Sequence, residues 1–422
     1  MIHFLEQLPQ ARRQGQSAGI YSVCSAHPWV LEAAIEQAQA DGTPLLIEAT
    51  SNQVNHRGGY TGMQPGDFQR LVGEIADRKG FARSRLILGG DHLGPNPWQK
   101  MPPGDAMREA GRMVEAYVRA GFLKIHLDAS MSCVGDENPL EGETVAERAA
   151  ALCAIAEEAA GEHKPVYVIG TEVPVPGGAT ESLNELAVTS REAAAETLVV
   201  HRRIFKKAGL EPAWPRVIPL VVQPGVEFNH DSVVDYRPEK ARHLTALLEQ
   251  ESGLVFEAHS TDYQRPEAYR ALVRDGFAIL KVGPALTFAM REALQALAAI
   301  EEELLGAERS SRLMSLLDQV MLEDRRYWER YYSADETKAM LQRRYSYSDR
   351  VRYYWHEPRV RSAVETLIDN LQSAAIPETM LSAFLPDEYR AVRAGELQPL
   401  AKPIVMHHIR LVLREYAAAC RG

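Results

Sequence analysis

Residues 85–95, with the sequence RLILGGDHLGP, carry the clearest sign of the fold class, because an apolar run there passes into polar residues and a turn. Similar runs recur along the chain, and amphipathic, helix-like stretches separate them. The eight runs occupy residues 19–27, 44–52, 85–95, 122–130, 165–173, 217–225, 254–262 and 277–285. Nearly continuous apolar character is typical of parallel strands that are covered on both faces. Eight such units predict an α/β fold, a closed TIM (β/α)8 barrel.

The alternation of strands and helices ends near residue 305. Residues 306–422 instead predict helices with short loops, interrupted by several prolines. We therefore predict a barrel over residues 1–305 and a helical C-terminal extension over residues 306–422, packed on the barrel or on a partner chain. Within the extension, RRYSYSDRVRYYW at residues 343–355 predicts a helix with its aromatic side chains inward and its arginines outside.

Composition and charge exclude several classes of function. The chain of 422 residues has a formal net charge of −10 and no long basic run, which argues against nucleic-acid binding. Its four cysteines form no CxxC pair, so a zinc cage built from cysteines is not expected. The N-terminal residues lack a secretory apolar core, and no apolar run reaches the length of a membrane span. We expect a cytoplasmic protein without a membrane segment.

Polar side chains end every predicted strand, and the catalytic groups of such barrels lie where strands pass into loops. His92 follows Asp91 at the end of the third strand, and His259 lies near the end of the seventh. We predict His92, His259 and Glu172 as ligands of a divalent metal, with Zn²⁺ as the expected ion. The alternatives are a hydrogen bond from His92 to a loop carbonyl, and a structural role for Glu172 in holding the PVPGG loop.

Three acidic residues at the strand ends are candidates for proton transfer. Asp91 would act as general acid or base, or would orient the ring of His92, and Glu48 and Asp128 are further acid–base candidates. Because side chains alternate between the two faces of a strand, His126 lies on one face with Asp128, and Glu257 lies on one face with His259. Repeated pairing of an acid with a histidine suits metal-assisted carbonyl chemistry.

Small and polar residues at other strand ends are candidates for contacts with a sugar or its phosphate. Backbone N–H groups of a Gly-Gly pair can approach a phosphate, although a plain turn is the alternative, and barrel phosphate sites often follow the seventh and eighth strands. The predicted residues are Gly177, Gly178, Gln223, Ser260, Thr261 and Gly283. No P-loop, GxGxxG, GxSxG or HExxH pattern occurs, which argues against nucleotide-dependent and serine-hydrolase functions. Lys281 is a candidate either for a Schiff base or for a structural ion pair.

Longer strings resemble one protein family over nearly the whole chain. They include CSAHPWVLEAA at residues 24–34, LLIEATSNQVNHRGGYTGM at residues 45–63, VIGTEVPVPGG at residues 168–178 and LKVGPALTFA at residues 280–289. These strings resemble the GatZ/KbaZ family, the Z subunits of D-tagatose-1,6-bisphosphate aldolase, which is similar to the class II, metal-dependent ketose-bisphosphate aldolases. The resemblance implies a subunit that supports a separate catalytic Y-type subunit, within an oligomer, in galactitol, N-acetylgalactosamine or tagatose breakdown.

The resemblance to the catalytic class II aldolases is partial at the metal site. Their Asp-His pair after the third strand matches Asp91 and His92, which implies a general acid and a metal ligand. Their two other metal histidines have no counterpart, because QPGVEF follows the sixth strand and Glu257 occupies the position on the seventh, with His259 displaced by two residues. The class II metal site is therefore incomplete as copied, although Glu172, Glu257 or His259 could complete a different one. This departure favours a Z-type role over independent aldolase activity.

Two other functions stay open at this point. The chain could itself be a metal-dependent enzyme for a free ketose or a ketose phosphate, most simply a 4-epimerase of tagatose or fructose. The many polar residues around one barrel mouth support this hypothesis, since a purely supporting barrel has no need for them. The other possibility is a sugar-phosphate sensor that binds its ligand without turnover.

Overall fold

Eight parallel strands close into a barrel in the computed structural model, which describes residues 4–171 and 186–421. Each strand lies inside one of the eight predicted apolar runs, and the last strand pairs with the first, so the predicted fold class is confirmed. An antiparallel pair, β7 and β8, follows the sixth barrel strand. The strands are β1 (Ile20–Val23), β2 (Leu45–Thr50), β3 (Leu86–Asp91), β4 (Lys124–His126), β5 (Val166–Ile169), β6 (Val217–Val221), β7 (Glu227–Phe228), β8 (Val233–Val234), β9 (Val255–Ala258) and β10 (Phe277–Val282).

Helices surround the barrel and connect its strands. Several begin at a proline, whose fixed φ suits the first helical turn and whose missing N–H is not needed there. Gly42 ends one helix in the left-handed conformation, with φ of 69°, as the glycine after the helical pattern predicts. The helices up to residue 305 are α1 (Phe4–Arg13), α2 (Pro28–Asp41), α3 (Pro65–Arg78), α4 (Pro103–Arg119), α5 (Gly142–Ala159), α6 (Arg191–Lys207), α7 (Pro238–Thr245), α8 (Leu247–Gln250), α9 (Pro266–Arg274) and α10 (Pro284–Leu305).

The amino-terminal end of the barrel is closed by α1, a helix that the strand pattern did not predict. Leu5 and Leu8 of α1 are buried against the first inward residues of the strands, among them Ile20, Leu46 and Val255. These side chains form an apolar cluster of their own, separate from the larger core between strands and helices. An apolar cluster therefore fills this end of the barrel.

The residues after 305 are helical and pack against the barrel. Their helices are α11 (Leu313–Glu323), α12 (Glu336–Tyr345), α13 (Pro358–Ala374), α14 (Glu378–Phe384), α15 (Pro386–Arg393) and α16 (Ala401–Cys420). Helix α16 contacts α2, α9 and α10, and the N–H of Gly19 donates to the carbonyl of Cys420 at 3.0 Å. The division at residue 305 stays a prediction. None of the helices in the described ranges is long and apolar enough to cross a membrane.

The arginine-rich stretch at residues 343–355 differs from its prediction. Helix α12 ends inside this stretch, so it is not one helix, and the expectation that its arginines lie outside is wrong for Arg343 and Arg350, which are only 3% and 4% exposed. Arg343 pairs with Asp318 at 2.8 Å, and Arg350 donates to the carbonyl of Tyr327 at 2.8 Å. Carboxylate, carbonyl and aromatic partners allow these guanidinium groups to be buried.

Candidate functional site

Charged side chains fill the barrel near its carboxyl-terminal end, in contrast to the apolar opposite end. The cluster comprises Glu48 of β2, Asp91 of β3, Lys124 of β4, Glu257 of β9 and Lys281 of β10, all at most 5% exposed. We call these five residues the buried charge network. Burying so many charges in one place requires close pairing, because each isolated charge loses its hydration.

The pairing within the buried charge network is continuous. The Nζ of Lys124 lies 2.7 Å from Glu48 Oε1 and 2.8 Å from Glu257 Oε2. The Nζ of Lys281 lies 3.1 Å from Glu48 Oε2 and also pairs closely with Asp91. The Nζ of Lys281 also lies 3.8 Å from Glu257 Oε1, so both lysines contact Glu48 and Glu257.

The glycine at position 89 explains how this network fits between neighbouring strands. In the strand register, Gly89 of β3 lies between Glu48 of β2 and Lys124 of β4. A Cβ atom at this position would come within 2.7 Å of the Cγ of Glu48. The missing side chain of Gly89 therefore leaves the space across which Glu48 and Lys124 meet.

Three histidines lie next to the network. The ring centroids of His92, His126 and His259 are 5.1 to 5.4 Å apart from one another. Each ring contacts a carboxylate, with His92 Nδ1 2.7 Å from Asp128 Oδ2, His126 Nδ1 3.1 Å from Asp91 Oδ1, and His259 Nε2 3.0 Å from Glu257 Oε1. The acid–histidine pairs expected from strand alternation thus meet at one point, although His126 pairs with Asp91 and not with Asp128.

Four of these residues form a group that fits a metal ion. Asp91, His126, Glu257 and His259 each offer one ligand atom, and the four atoms lie within 4.8 Å of one another. The Nε2 atom of His126 is buried and has no hydrogen-bond partner among the described residues, so it is available for a ligand. Two nitrogen and two oxygen donors suit a divalent transition metal such as Zn²⁺.

The electrostatics of the site also fit a cation. Burial, followed by the charge of Lys281, lowers the pKa of His259 to about 3, so this ring is neutral, as a metal ligand must be. Burial alone would raise the pKa of Glu257, but Lys124 and His259 outweigh it and hold that pKa well below its usual range. Next to the three histidines, the carboxyl groups of Glu48, Asp91, Asp128 and Glu257 outnumber the two lysines, Lys124 and Lys281, which favours a cation at this place.

The predicted metal ligands are placed differently from one another. His259 belongs to the metal-capable group, whereas His92 lies outside it, with its Nδ1 2.7 Å from Asp128 Oδ2 and its Nε2 3.6 Å from Asp91 Oδ2. Glu172 lies outside the described residues. The ligand roles of His92 and Glu172 therefore stay predictions.

The three predicted acid–base residues also occupy different positions. Asp91 lines the cavity above the site, whereas Glu48 is completely buried and accepts a hydrogen bond from Ser22 at 2.7 Å. Asp128 is equally buried, and it accepts from Ser130 Oγ at 2.7 Å. Only Asp91 of these three faces the cavity in the described structure.

Lys281 was a candidate either for a Schiff base or for a structural ion pair, and in the structure it forms ion pairs with Glu48 and Asp91. Burial alone would lower the pKa of Lys281, but Asp91 and other nearby acidic groups hold it well above its usual range. A Schiff base requires a neutral amine that can attack a carbonyl group. The contacts of Lys281 therefore support the ion-pair alternative.

A cavity of about 500 Å³ opens above the metal-capable group. This volume falls in the range of sites for small molecules, roughly 300–1,000 Å³. Its wall combines barrel loops with the residues after 305. Representative lining residues are Ser25, Asn52, His259, Lys281, Arg352 and Trp355.

The backbone is strained at two points of this cavity. His92 and Ser260 have positive φ values of 50° and 52°, which are uncommon for residues with a side chain. Each directly follows a member of the metal-capable group, Asp91 or His259. Strain of this kind is concentrated at functional sites, so both positions support a functional role for this end of the barrel.

The predicted phosphate residues after β9 and β10 are partly engaged within the chain. Ser260 and Gly283 line the cavity, but the N–H of Gly283 donates to Asp262 Oδ1 at 3.0 Å. Thr261 is fully buried, donates to the carbonyl of Lys281 at 2.6 Å and lies 3.0 Å from the hydroxyl of Tyr416. Phosphate binding by Thr261 and Gly283 stays a prediction, and it competes with these contacts.

The other predicted sugar contacts lie away from the cavity or outside the described residues. Gln223 does not line the cavity, and its side-chain oxygen accepts from the N–H groups of Gly225 and Val226 at 2.8 and 3.0 Å. Gly177 and Gly178 lie outside the described residues. The predicted roles of Gln223, Gly177 and Gly178 stay untested.

Sequence reasoning missed three residues of the site. Lys124 lies two positions before His126, so the same alternation that placed His126 on the inner face would have found it. His126 was placed on the correct face but not among the ligands. Arg352 of the extension had no local signal, because only the folding of the extension onto the barrel brings it to the cavity.

Comparison with known proteins places the chain in a family. The family model described as "D-tagatose-1,6-bisphosphate aldolase subunit GatZ/KbaZ-like" matches residues 5–421. A crystal structure described as a probable tagatose 6 phosphate kinase from Sinorhizobium meliloti 1021 is 51% identical, covers 95% of this chain and 100% of its own, and has a TM-score of 0.89. A fructose-bisphosphate aldolase from Campylobacter jejuni is 14% identical over 87% of this chain and 91% of its own, with a TM-score of 0.45. The chain therefore belongs to the GatZ/KbaZ-like family of D-tagatose-1,6-bisphosphate aldolase subunits.

Proposed function

We propose that this chain is a metal-binding Z-type subunit of D-tagatose-1,6-bisphosphate aldolase, and that its barrel mouth binds the phosphorylated ketose. The observation that carries the proposal is the group of Asp91, His126, Glu257 and His259, which lies below a cavity of about 500 Å³ in a chain of this family. The Sinorhizobium structure, whose description also names a phosphorylated tagatose, supports the same substrate class.

The residues of the site have separate tasks under this proposal. Asp91, His126, Glu257 and His259 would hold the metal, which when bound polarises the oxygens of a ketose. Asp91 faces the cavity, and because its pKa lies well below its usual range it stays ionised, which suits it to hold a cation and to orient a substrate hydroxyl. The Lys281 ammonium also faces the cavity and favours negative charge on a substrate oxygen there.

The subunit role is tested by reconstitution. The purified chain, loaded with Zn²⁺ or Mn²⁺, is incubated with tagatose 1,6-bisphosphate alone and together with a catalytic Y-type subunit, and products are followed by ¹³C NMR. We expect little triose phosphate from the chain alone and a clear increase in the rate of the Y-type subunit when the chain is added. A rate for the Y-type subunit that is unchanged by the chain contradicts the proposal.

A second candidate, a ketose or ketose-phosphate 4-epimerase, is supported by two carboxyl groups in the cavity. Burial raises the pKa of Asp262 to about 6, although the N–H groups of Gly283 and Ala285 oppose this, whereas the pKa of Asp91 lies well below its usual range. Two carboxyl groups with pKa values pushed apart are suited to opposite roles in proton transfer. Conversion of tagatose 6-phosphate or free tagatose to the matching fructose by the chain alone would establish this activity.

A further inference from the structure

We propose that Arg352, a residue of the C-terminal extension, binds the phosphate group of the ketose phosphate at the barrel mouth. The proposal rests on the proposed function for the identity of the sugar, and it assigns the anionic end of that sugar to a side chain from outside the barrel strands. It makes the extension a part of the binding site.

Arg352 offers a positive charge that is not used in an ion pair. Its side chain is half-buried and lines the same cavity as Asp91 and His259. Its guanidinium donates to the carbonyls of Ser348 and Asp349, the latter at 3.0 Å, and to the Tyr353 hydroxyl at 3.1 Å. These acceptors are neutral, and within residues 4–171 and 186–421 no carboxylate is at ion-pair distance from Arg352.

The usual anion site of such a barrel is filled by the chain itself. The N-terminus of a helix attracts anions, and here α10 begins directly after β10. However, Asp262 Oδ1 accepts hydrogen bonds from the N–H groups of Gly283 and Ala285 at 3.0 and 2.8 Å. Because an internal carboxylate occupies these donors, a substrate phosphate needs a different cationic partner.

Among the cations of the cavity, Arg352 is the best suited to this role. Lys281 already bridges Glu48 and Asp91 at the base of the site. Arg361 also lines the cavity, but its side chain is exposed at the rim. A guanidinium presents two parallel N–H donors, which match the oxygens of a phosphate better than an ammonium does.

Contacts with the barrel hold the segment before Arg352 in place. Asp349 pairs with Arg291 Nε at 2.9 Å and accepts from the hydroxyl of Thr287 at 2.5 Å, and both partners belong to α10. The hydroxyl of Tyr263 donates to the carbonyl of Tyr347 at 2.7 Å. A binding group on an anchored segment loses little conformational entropy when its ligand arrives.

The test compares ligands with and without a phosphate group. Binding of tagatose 6-phosphate, free tagatose and inorganic phosphate to the full chain is measured by titration calorimetry for the wild type, Arg352→Gln and Arg352→Lys. We expect Arg352→Gln to weaken tagatose 6-phosphate about 10- to 100-fold, as for a lost charge-assisted hydrogen bond, and to change free tagatose by less than about 2-fold. Arg352→Lys should recover part of the loss, because it keeps the charge without the paired donors.

Arg359→Gln is the matched control, because it removes the same charge from an exposed arginine that pairs with Glu323 and Glu357 outside the cavity. It should leave all three affinities unchanged. Equal loss for free tagatose and tagatose 6-phosphate, or no loss for either, overturns the proposal. Loss for inorganic phosphate alone shows an unspecific anion site and also overturns it. The two proposals can be told apart. If Arg352→Gln weakens tagatose 6-phosphate selectively but the wild-type chain neither assists cleavage nor epimerises a ketose, the inference is supported and the proposed function is contradicted.

Discussion

The two ends of the barrel are built from the same eight strands but are packed in opposite ways. At the amino-terminal end, Leu5 and Leu8 of α1 close the barrel over an apolar cluster. At the carboxyl-terminal end, the buried charge network holds three carboxylates and two lysines that are nearly as buried as the two leucines. Apolar packing at one end shows that the barrel has no need of charges for closure, so the charges at the other end point to function.

The free energy of burying side chains differs between the two ends. Burying an apolar side chain is favourable by roughly 1.5–3 kcal/mol. Burying an ion pair often yields no net stability, because lost hydration offsets the attraction, yet removing one partner is strongly destabilising. The charged end is therefore the more vulnerable to single substitutions.

The largest effect is expected from a substitution in the buried charge network, at the carboxyl-terminal end of the barrel. Lys124→Met removes the cation between Glu48 and Glu257 and leaves two buried carboxylates without it. We expect the free energy of unfolding to fall by about 3–5 kcal/mol, measured by urea denaturation. Arg203→Met, which breaks an exposed pair with Glu143, is the control and should cost less than about 1 kcal/mol. Similar losses for both variants would mean that the network is not energetically special.

The next effect concerns metal binding. His126→Ala removes a ligand atom of the metal-capable group, and we expect Zn²⁺ affinity to fall at least about 100-fold, measured by competition with a chelating dye. His92→Ala should cost less, since His92 contacts the group only from outside. Exposed His163→Ala serves as the control and should bind metal like the wild type. A larger loss of Zn²⁺ affinity for His92→Ala than for His126→Ala would indicate that His92, and not His126, is the metal ligand.

The apolar end should respond in stability alone. Leu8→Ala creates a cavity beneath the barrel, and we expect the free energy of unfolding to fall by about 2–3 kcal/mol because a terminal helix relaxes partly. Zn²⁺ affinity should stay at the wild-type value, since the substitution lies at the opposite end from the ligands. Reduced Zn²⁺ affinity in the folded Leu8→Ala variant would show that the two ends are coupled.

The smallest effect is expected from buried charges of the C-terminal extension, which should make the stability of the fold depend on pH. Glu388 Oε1 accepts from His407 and His408 at 2.9 and 3.1 Å. Burial alone would lower the pKa of His408, but Glu292 and Glu388 outweigh it and raise the pKa to about 9. Since the folded value exceeds the ordinary 6.5, this stabilisation is complete below pH 6.5 and is lost as pH rises to about 9.

The pH prediction is checked with the Glu388→Gln variant. The difference in unfolding midpoint between wild type and variant should be larger at pH 6 than at pH 9.5, when His408 has lost its proton. Measurements of thermal unfolding at both pH values give this difference. An equal difference at both pH values would assign the stabilisation to neutral hydrogen bonds.

Much of the fold was predictable from local patterns. All eight barrel strands lie inside the apolar runs, because a strand covered on both faces needs apolar residues over its own length. Helix α1 was not predictable in this way, since its role depends on the distant strands that it covers. The inward position of Arg343 and Arg350 was also missed, because their partners come from other parts of the extension.

The candidate site was predictable as a place but not as a set of contacts. Polar strand ends located the barrel mouth, and Asp91 and His259, two of the residues singled out there, line its cavity, although their chemical roles stay predictions. Glu48 and Asp128 were also singled out, yet the structure places them below or beside the cavity, in contacts with other side chains. Neighbours in sequence do not reveal which charge a buried carboxylate will meet.

The sequence by itself determined the barrel, its polar mouth and the resemblance to one family, because each of these features depends on residues that are neighbours in the chain. Only the tertiary structure decided which polar groups meet. Barrel closure brings residues 48, 91, 124, 257 and 281 into the buried charge network, and the folding of the extension brings Arg352 to the cavity above it. The network contacts of Glu48 alone join residues 76 and 233 positions apart in the chain, and the energies of such contacts depend on burial and distance, which no local pattern contains.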